Sequence, residues 1–128
     1  MILLDTCVLI WLADDQDKLS EPARKAMRAN VGGLFVSSAT AFEISLKWAI
    51  GRLKLPGDGE VWYRDALRLH GLKEIPLDGR CAALAGRLPF LHRDPCDRFI
   101  IATAGIHRMP IVTPDPIIRR YPDVRVIW

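Results

Sequence analysis

Short unbroken apolar runs alternate along this chain with longer stretches of helical periodicity. Ile2-Leu3-Leu4 is too short, and too abruptly ended by Asp5, to be a helix, so it reads as a buried strand. Residues 8–13 predict one or two helical turns ending near Asp14 and Asp15. Ser20 is a natural N-cap, with Glu21 and Pro22 in the first turn of a helix reaching residue 29. Gly32-Gly33 then breaks the chain before a strand over 34–36. Ser37 or Ser38 caps a longer helix to residue 50, with Phe42, Leu46, Ala49 and Ile50 at helical spacing and Gly51 as its stop. Pro56, Gly57 and Gly59 mark 52–59 as a loop. A helix over 60–70 is stopped by Gly71, and 73–75 reads as a short edge strand. Asp78 caps a helix within 77–88, and 89–93 is a loop. Asp94 as N-cap and Pro95 at the first helical position open a helix over 95–107. Strands over 111–113 and 124–128 complete the chain. Short apolar strands separated by helices predict an α/β fold whose parallel sheet is covered on both faces.

The length of 128 residues predicts one domain spanning 1–128, and with half the residues hydrophobic a real core can form. The formal net charge of +3 mildly favours a polyanionic partner, with Lys and Arg spread along the chain. Cys7, Cys81 and Cys96 have no zinc-type spacing, and their odd number predicts a reducing, cytoplasmic setting. No apolar run approaches the roughly 20 residues that span a bilayer, so no membrane partner is expected.

Four acids occupy positions that such a sheet brings together. Asp5 and Asp115 follow strands, and open α/β sheets gather functional groups outside the carboxyl ends of their strands. Glu43 and Asp97 lie in helices whose starts point toward the same edge. Two carboxylates about 5 Å apart repel by roughly 3 kcal/mol at an effective dielectric near 20. Four of them together reach the order of 10 kcal/mol, comparable to the stability of a whole domain. A cluster of this kind must take up protons or cations. Oxygen-only ligands suit Mg²⁺ or Mn²⁺, which points to metal-dependent phosphodiester chemistry. Taken singly, each acid has a plainer role. Asp5 can end a strand in a turn, Glu43 can pair with Lys47 one turn on, and Asp97 can favour a helix N-terminus. Asp115 can sit in a turn between Pro114 and Pro116, and Asp94 serves first as an N-cap.

These residues also resemble a family. Leu3-Leu4-Asp5-Thr6, Phe42-Glu43-Ile44-Ser45-Leu46-Lys47 continuing to Pro56, the segment from His92 through Asp94-Pro95-Cys96-Asp97-Arg98 to Ala102, and Thr113-Pro114-Asp115 are similar in order and spacing to PIN-domain proteins. Specifically, they resemble the VapC-like toxins of bacterial toxin–antitoxin pairs. The resemblance implies a three-layer α/β/α sandwich with a mostly parallel sheet of about five strands. It implies an endoribonuclease dependent on Mg²⁺ or Mn²⁺, with RNA as substrate, a cognate antitoxin as partner and a homodimer as assembly. Carried over, Asp5, Glu43, Asp97 and Asp115 form the catalytic and metal-binding set, and Thr6 and Thr113 supply hydroxyls that orient the carboxylates, with Asp94 close by. Cys96 departs from the family pattern, where a bulky aromatic is common, and Pro114 stands where a basic residue is frequent. These departures imply altered packing at Cys96 and weaker RNA contact at Pro114.

Lys47 and Arg98 are the expected substrate-binding cations, Arg98 because it adjoins Asp97. Arg52, Lys54, Arg80, Arg87 and Arg93 read as solvated surface charge. His70, His92 and His107 receive no role. Trp48 and Trp62 flank the 52–59 loop, a possible partner surface. Two other functions compete. A phosphatase using Asp5 as nucleophile calls for a second Asp two residues on, where Cys7 stands. A catalytically inactive PIN-like module for RNA binding or regulation would be expected to have lost one of the acids.

Overall fold

Side-chain caps set where the helices begin. In the computed structural model, which describes residues 1–128, strand β1 (Ile2–Leu4) runs straight into helix α1 (Thr6–Asp14) with only Asp5 between them. Asp5 is itself the cap, so the helix starts two residues earlier than periodicity suggested. Ser20 accepts the Ala23 N–H and opens α2 (Glu21–Ala29), with proline in its first turn as expected. Strand β2 (Leu34–Ser37) feeds α3 (Ser38–Ala49) in the same loop-free way, Ser37 being both last strand residue and N-cap. Gly51, at φ +77°, is the turn residue after α3. Asp58 caps α4 (Gly59–His70), so Gly59 belongs to the helix and not to the preceding loop. A Cβ there would lie 3.2 Å from the Ser45 backbone, so glycine lets α4 start in close contact with α3 without crowding it. Strand β3 (Lys73–Ile75), α5 (Gly79–Arg87, capped by Asp78), α6 (Pro95–His107, capped by Asp94), β4 (Ile111–Val112) and β5 (Val126–Ile127) complete the order. The last strand is shorter than the apolar 124–128 run.

All five strands are parallel, in the order β3-β2-β1-β4-β5. The chain starts in the middle, builds outward through β2 to the β3 edge, and returns through α5 and α6 to place β4 on the other side of β1. Leu3 pairs with Phe35 on one side and Ile111 on the other. Strand alternation then sorts the core. Ile2, Leu4, Val36 and Val112 face α1 to α4 through Val8, Leu9, Ala23, Met27, Ile44 and Tyr63. Leu3 and Ile111 face the opposite layer through Ile100, Ile101, Ala104 and Ile118. A smaller group, Cys81, Ala85 and Ala102, joins α5 to α6. The result is the three-layer α/β/α arrangement with a five-stranded sheet. No helix is long and apolar enough to cross a membrane.

The strand order reverses direction between β1 and β4. Asp5 leaves the carboxyl end of β1 and Asp115 follows that of β4, so the two acids bracket the switch point where α/β sheets bind ligands.

Candidate active site

The Asp5 backbone N–H donates to the Val112 carbonyl at 3.1 Å, so this residue still belongs to the sheet. Its side chain is buried and held at both oxygens. The Thr6 backbone N–H donates to Oδ1 at 2.7 Å, and the Thr113 hydroxyl donates to Oδ2 at 2.6 Å. The same hydroxyl accepts the Asp115 N–H at 3.0 Å and so ties the two strand ends together. Thr113 thus holds the Asp5 carboxylate by a hydrogen bond. The Thr6 hydroxyl does not: it pairs with Thr40 Oγ1 at 3.0 Å, and only the Thr6 backbone reaches Asp5. Thr6 lies in the first turn of α1, where its short side chain turns toward α3 and its N–H is the group left free to meet a cap.

Glu43, in the second turn of α3, puts Oε2 2.6 Å from Lys47 Nζ. Its other oxygen, Oε1, is buried with no hydrogen-bond partner. An orphaned carboxylate oxygen at this depth is costly unless something fills its lone pairs. Asp97 stands at the third position of α6, behind the Asp94 cap, whose Oδ1 accepts the Cys96 N–H at 2.8 Å.

Each acid feels the others. Burial pushes the Asp5 carboxyl above its usual range; the Thr113 and Thr6 donors work against this, and Glu43 and Asp115 add to it. Burial pushes Asp97 up to about 7, reinforced by Asp5, Asp94 and Glu43 and opposed by His92. For Lys47, burial works against the charged form, but the hydrogen bond and charge of Glu43, then Asp94 and Asp97, raise it overall. Cys7 and Cys96, beside the acids, are pushed upward chiefly by burial, Cys96 to about 11, so both are neutral thiols there. Cys96 is buried, a small packing residue at the helix start.

Two placements differ from the sequence reading. Arg98 is buried and cannot meet a phosphate. Its guanidinium donates to four backbone carbonyls, those of Ala85 (3.0 Å), Leu88 (2.8 Å), Pro89 (3.1 Å) and His92 (3.0 Å). Neighbouring helix residues point about 100° apart, so with Asp97 turned to the sheet end Arg98 turns to α5 and the loop before α6. The second difference is His92, which had no assigned role. Its Nε2 lies 2.8 Å from Asp115 Oδ2 and 3.1 Å from Asp97 Oδ2, and the ligand-capable atoms of the three residues all lie within 4.8 Å of one another. The only sequence signal for it was its place two residues before a helix cap, where the chain must fold back over the helix start.

The donor set fits a hard divalent cation. Asp5, Glu43, Asp97 and Asp115 supply oxygens only, two of the acids resist ionisation without a counter-charge, and Glu43 Oε1 is buried with its lone pairs unused.

Comparison with known proteins agrees with this architecture. The family model described as the PIN domain matches residues 2–124. No curated protein matches the chain by sequence. Among solved structures, VapBC2 from Rickettsia felis bound to a DNA fragment from their promoter is similar with a TM-score of 0.69 at 17% identity, covering 98% of this chain and 97% of that one. A toxin–antitoxin complex from Klebsiella pneumoniae gives 0.66 at 23% identity, covering 97% and 95%. FitAcB from Neisseria gonorrhoeae gives 0.67 at 23% identity, covering 98% and 96%. At these identities the likeness is one of fold.

Proposed function

The chain belongs to the PIN-domain family, and from that premise we propose that it is an endoribonuclease dependent on Mg²⁺ or Mn²⁺, the toxin member of a toxin–antitoxin pair. The observation that carries the reading is the convergence of Asp5, Glu43, Asp97 and Asp115 at the switch point of the sheet, with a buried Glu43 oxygen left unpartnered. Those four residues would hold the cation. When bound, the ion supplies positive charge for the scissile phosphodiester and lowers the pKa of a water nucleophile.

The protein's own groups do the rest. Thr113 holds Asp5 to a fixed aim and keeps Asp115 in register with it. Asp97, raised to about 7 chiefly by burial, is partly protonated near neutral pH and would give up that proton on holding a cation. Glu43 Oε1 is buried without a donor, so it is the oxygen free to accept a proton from attacking water or to take a place at the ion. Lys47 is half-exposed at the lip and remains protonated, which fits it to receive a phosphate while releasing part of its hold on Glu43. With Arg98 withdrawn, Lys47 is the remaining substrate-binding residue of the expected pair.

A cognate antitoxin and a second copy of the chain belong to the same reading. The solved structure from Klebsiella pneumoniae, described as a toxin–antitoxin complex, supports the former. An inactive regulatory module fits less well, because all four acids are present and near enough to raise one another's pKa. The test is incubation of the purified protein, freed of any bound partner, with total cellular RNA. Cleavage with Mg²⁺ or Mn²⁺, its arrest by EDTA and its loss in Asp5→Asn are expected. Undiminished cutting by Asp5→Asn would show the site to be misassigned.

A further inference from the structure

His92 has no part in the four-carboxylate account, yet it is one of the most firmly held side chains near the acids. Its backbone N–H donates to the Tyr121 hydroxyl at 2.9 Å, and that hydroxyl donates to the Pro89 carbonyl at 2.7 Å. Arg98 Nη1 donates to both the His92 and Pro89 carbonyls. A loop with no regular structure of its own is thereby fixed from α6 and from the turn at Tyr121. The buried imidazole is delivered between Asp97 on α6 and Asp115 beyond β4.

An imidazole nitrogen so close to two carboxylates can be a metal ligand or a hydrogen-bond donor, and the other ring nitrogen decides between them. Nδ1 accepts the Asp94 backbone N–H at 3.3 Å. A nitrogen that accepts carries no proton, so the proton of the neutral ring sits on Nε2. A protonated nitrogen has no lone pair for a metal. Nε2 therefore donates to Asp115 at 2.8 Å, with Asp97 at 3.1 Å as second acceptor.

We propose that His92 is a positioning residue whose Nε2–H, spanning Asp97 and Asp115, sets the separation and aim of these two carboxylates for the cation. Asp115 is then steadied on both oxygens, Oδ2 by His92 and Oδ1 by the Ile117 N–H at 2.8 Å. Arg98 acts one step further back. The catalytic consequence rests on the metal-nuclease reading, but the contact itself does not.

The experiment has two arms. In the first, long-range ¹H–¹⁵N correlation on histidine-labelled, metal-free protein in EDTA reads the His92 tautomer, assigned by its absence from His92→Gln. Nδ1 bare and Nε2 protonated is the expected result. The reverse tautomer, or a ring protonated on both nitrogens, overturns the proposal. In the second arm, Mn²⁺ affinity is followed by electron paramagnetic resonance for the parent, His92→Phe and His92→Gln. Phenylalanine keeps the ring without a donor and should weaken Mn²⁺ binding by about 10–100-fold, the range for partners that orient metal-binding side chains. Glutamine places an amide N–H toward the Nε2 position and should recover most of that loss. Parent-like affinity in the phenylalanine variant refutes positioning, as does a folded glutamine variant no better than phenylalanine. A ¹⁴N coupling to Mn²⁺ that disappears in His92→Phe would make His92 a ligand and also refute it. Should the phenylalanine variant fail to fold, the tautomer and the affinity of the glutamine variant, expected near that of the parent, still decide. A protein that shows the expected tautomer and order of affinities but cuts no RNA would end the nuclease reading and leave the His92 assignment standing. Absence of any Mn²⁺ binding would end the metal reading, with the tautomer deciding the contact.

Discussion

Replacing Asp97 with Asn should make the metal-free protein more stable at pH 8. In the folded chain the Asp97 carboxyl is raised from 3.8 to about 7, mainly by burial and then by Asp5 and Asp94. A carboxyl whose folded pKa is raised contributes stability in full below the unfolded value. That contribution is lost as pH climbs through the folded value. The window therefore runs from about pH 4 to about pH 7. The interval is about three pH units at about 1.4 kcal/mol each, which bounds the loss near 4 kcal/mol. Asparagine has the same shape, keeps an oxygen that can accept from His92, and has no charge to lose. Urea unfolding in EDTA should find Asp97→Asn ahead of the parent at pH 8 by up to about 4 kcal/mol, with the gap closing as pH falls toward 5. Mn²⁺ at 100 times its dissociation constant should narrow the gap by about 2.7 kcal/mol, since the cation stabilises whichever protein binds it. A variant less stable than the parent in EDTA at pH 8, or a gap indifferent to pH, would refute the view of Asp97 as a carboxyl raised by burial beside other acids.

Thr113→Val removes the only hydroxyl shared by Asp5 and Asp115 and should weaken Mn²⁺ binding about 10–100-fold by calorimetry, with Thr113→Ser close to the parent. Arg98→Met leaves four carbonyls short of a donor and should lower unfolding free energy by about 3 kcal/mol or more in urea, an effect of stability and not of phosphate binding. Lys47→Gln should raise the apparent dissociation constant for RNA and flatten its salt dependence by about one ion, as the loss of one phosphate contact would; an unchanged salt slope would remove Lys47 from the substrate path.

The elements were legible in the sequence because their boundaries are written in side chains. Ser20, Asp78 and Asp94 cap helices, Pro22 and Pro95 sit in first turns, and Gly51 and Gly71 end helices. The parallel sheet followed from short apolar strands between helices, and the topology then carried Asp5 and Asp115 to one edge. Direction was harder to read than position. Arg98 adjoins Asp97 in sequence, but one step along a helix is a large rotation, and the guanidinium faces α5 and the loop. The Thr6 hydroxyl found Thr40 on a different helix, a pairing of residues 34 apart. His92 lies in a loop without periodicity, and its place depends on Arg98 and Tyr121 arriving from elsewhere in the chain. A residue whose position is set by tertiary contacts alone leaves little local pattern to read.

The most direct test of the central claim is the single-turnover rate of RNA cleavage measured against Mn²⁺ concentration. The rate should rise from nothing in EDTA and saturate with the same midpoint that calorimetry gives for Mn²⁺ binding, and Asp5→Asn should abolish both curves together. Cleavage that persists in EDTA, or that survives Asp5→Asn with Mn²⁺ binding gone, would contradict it.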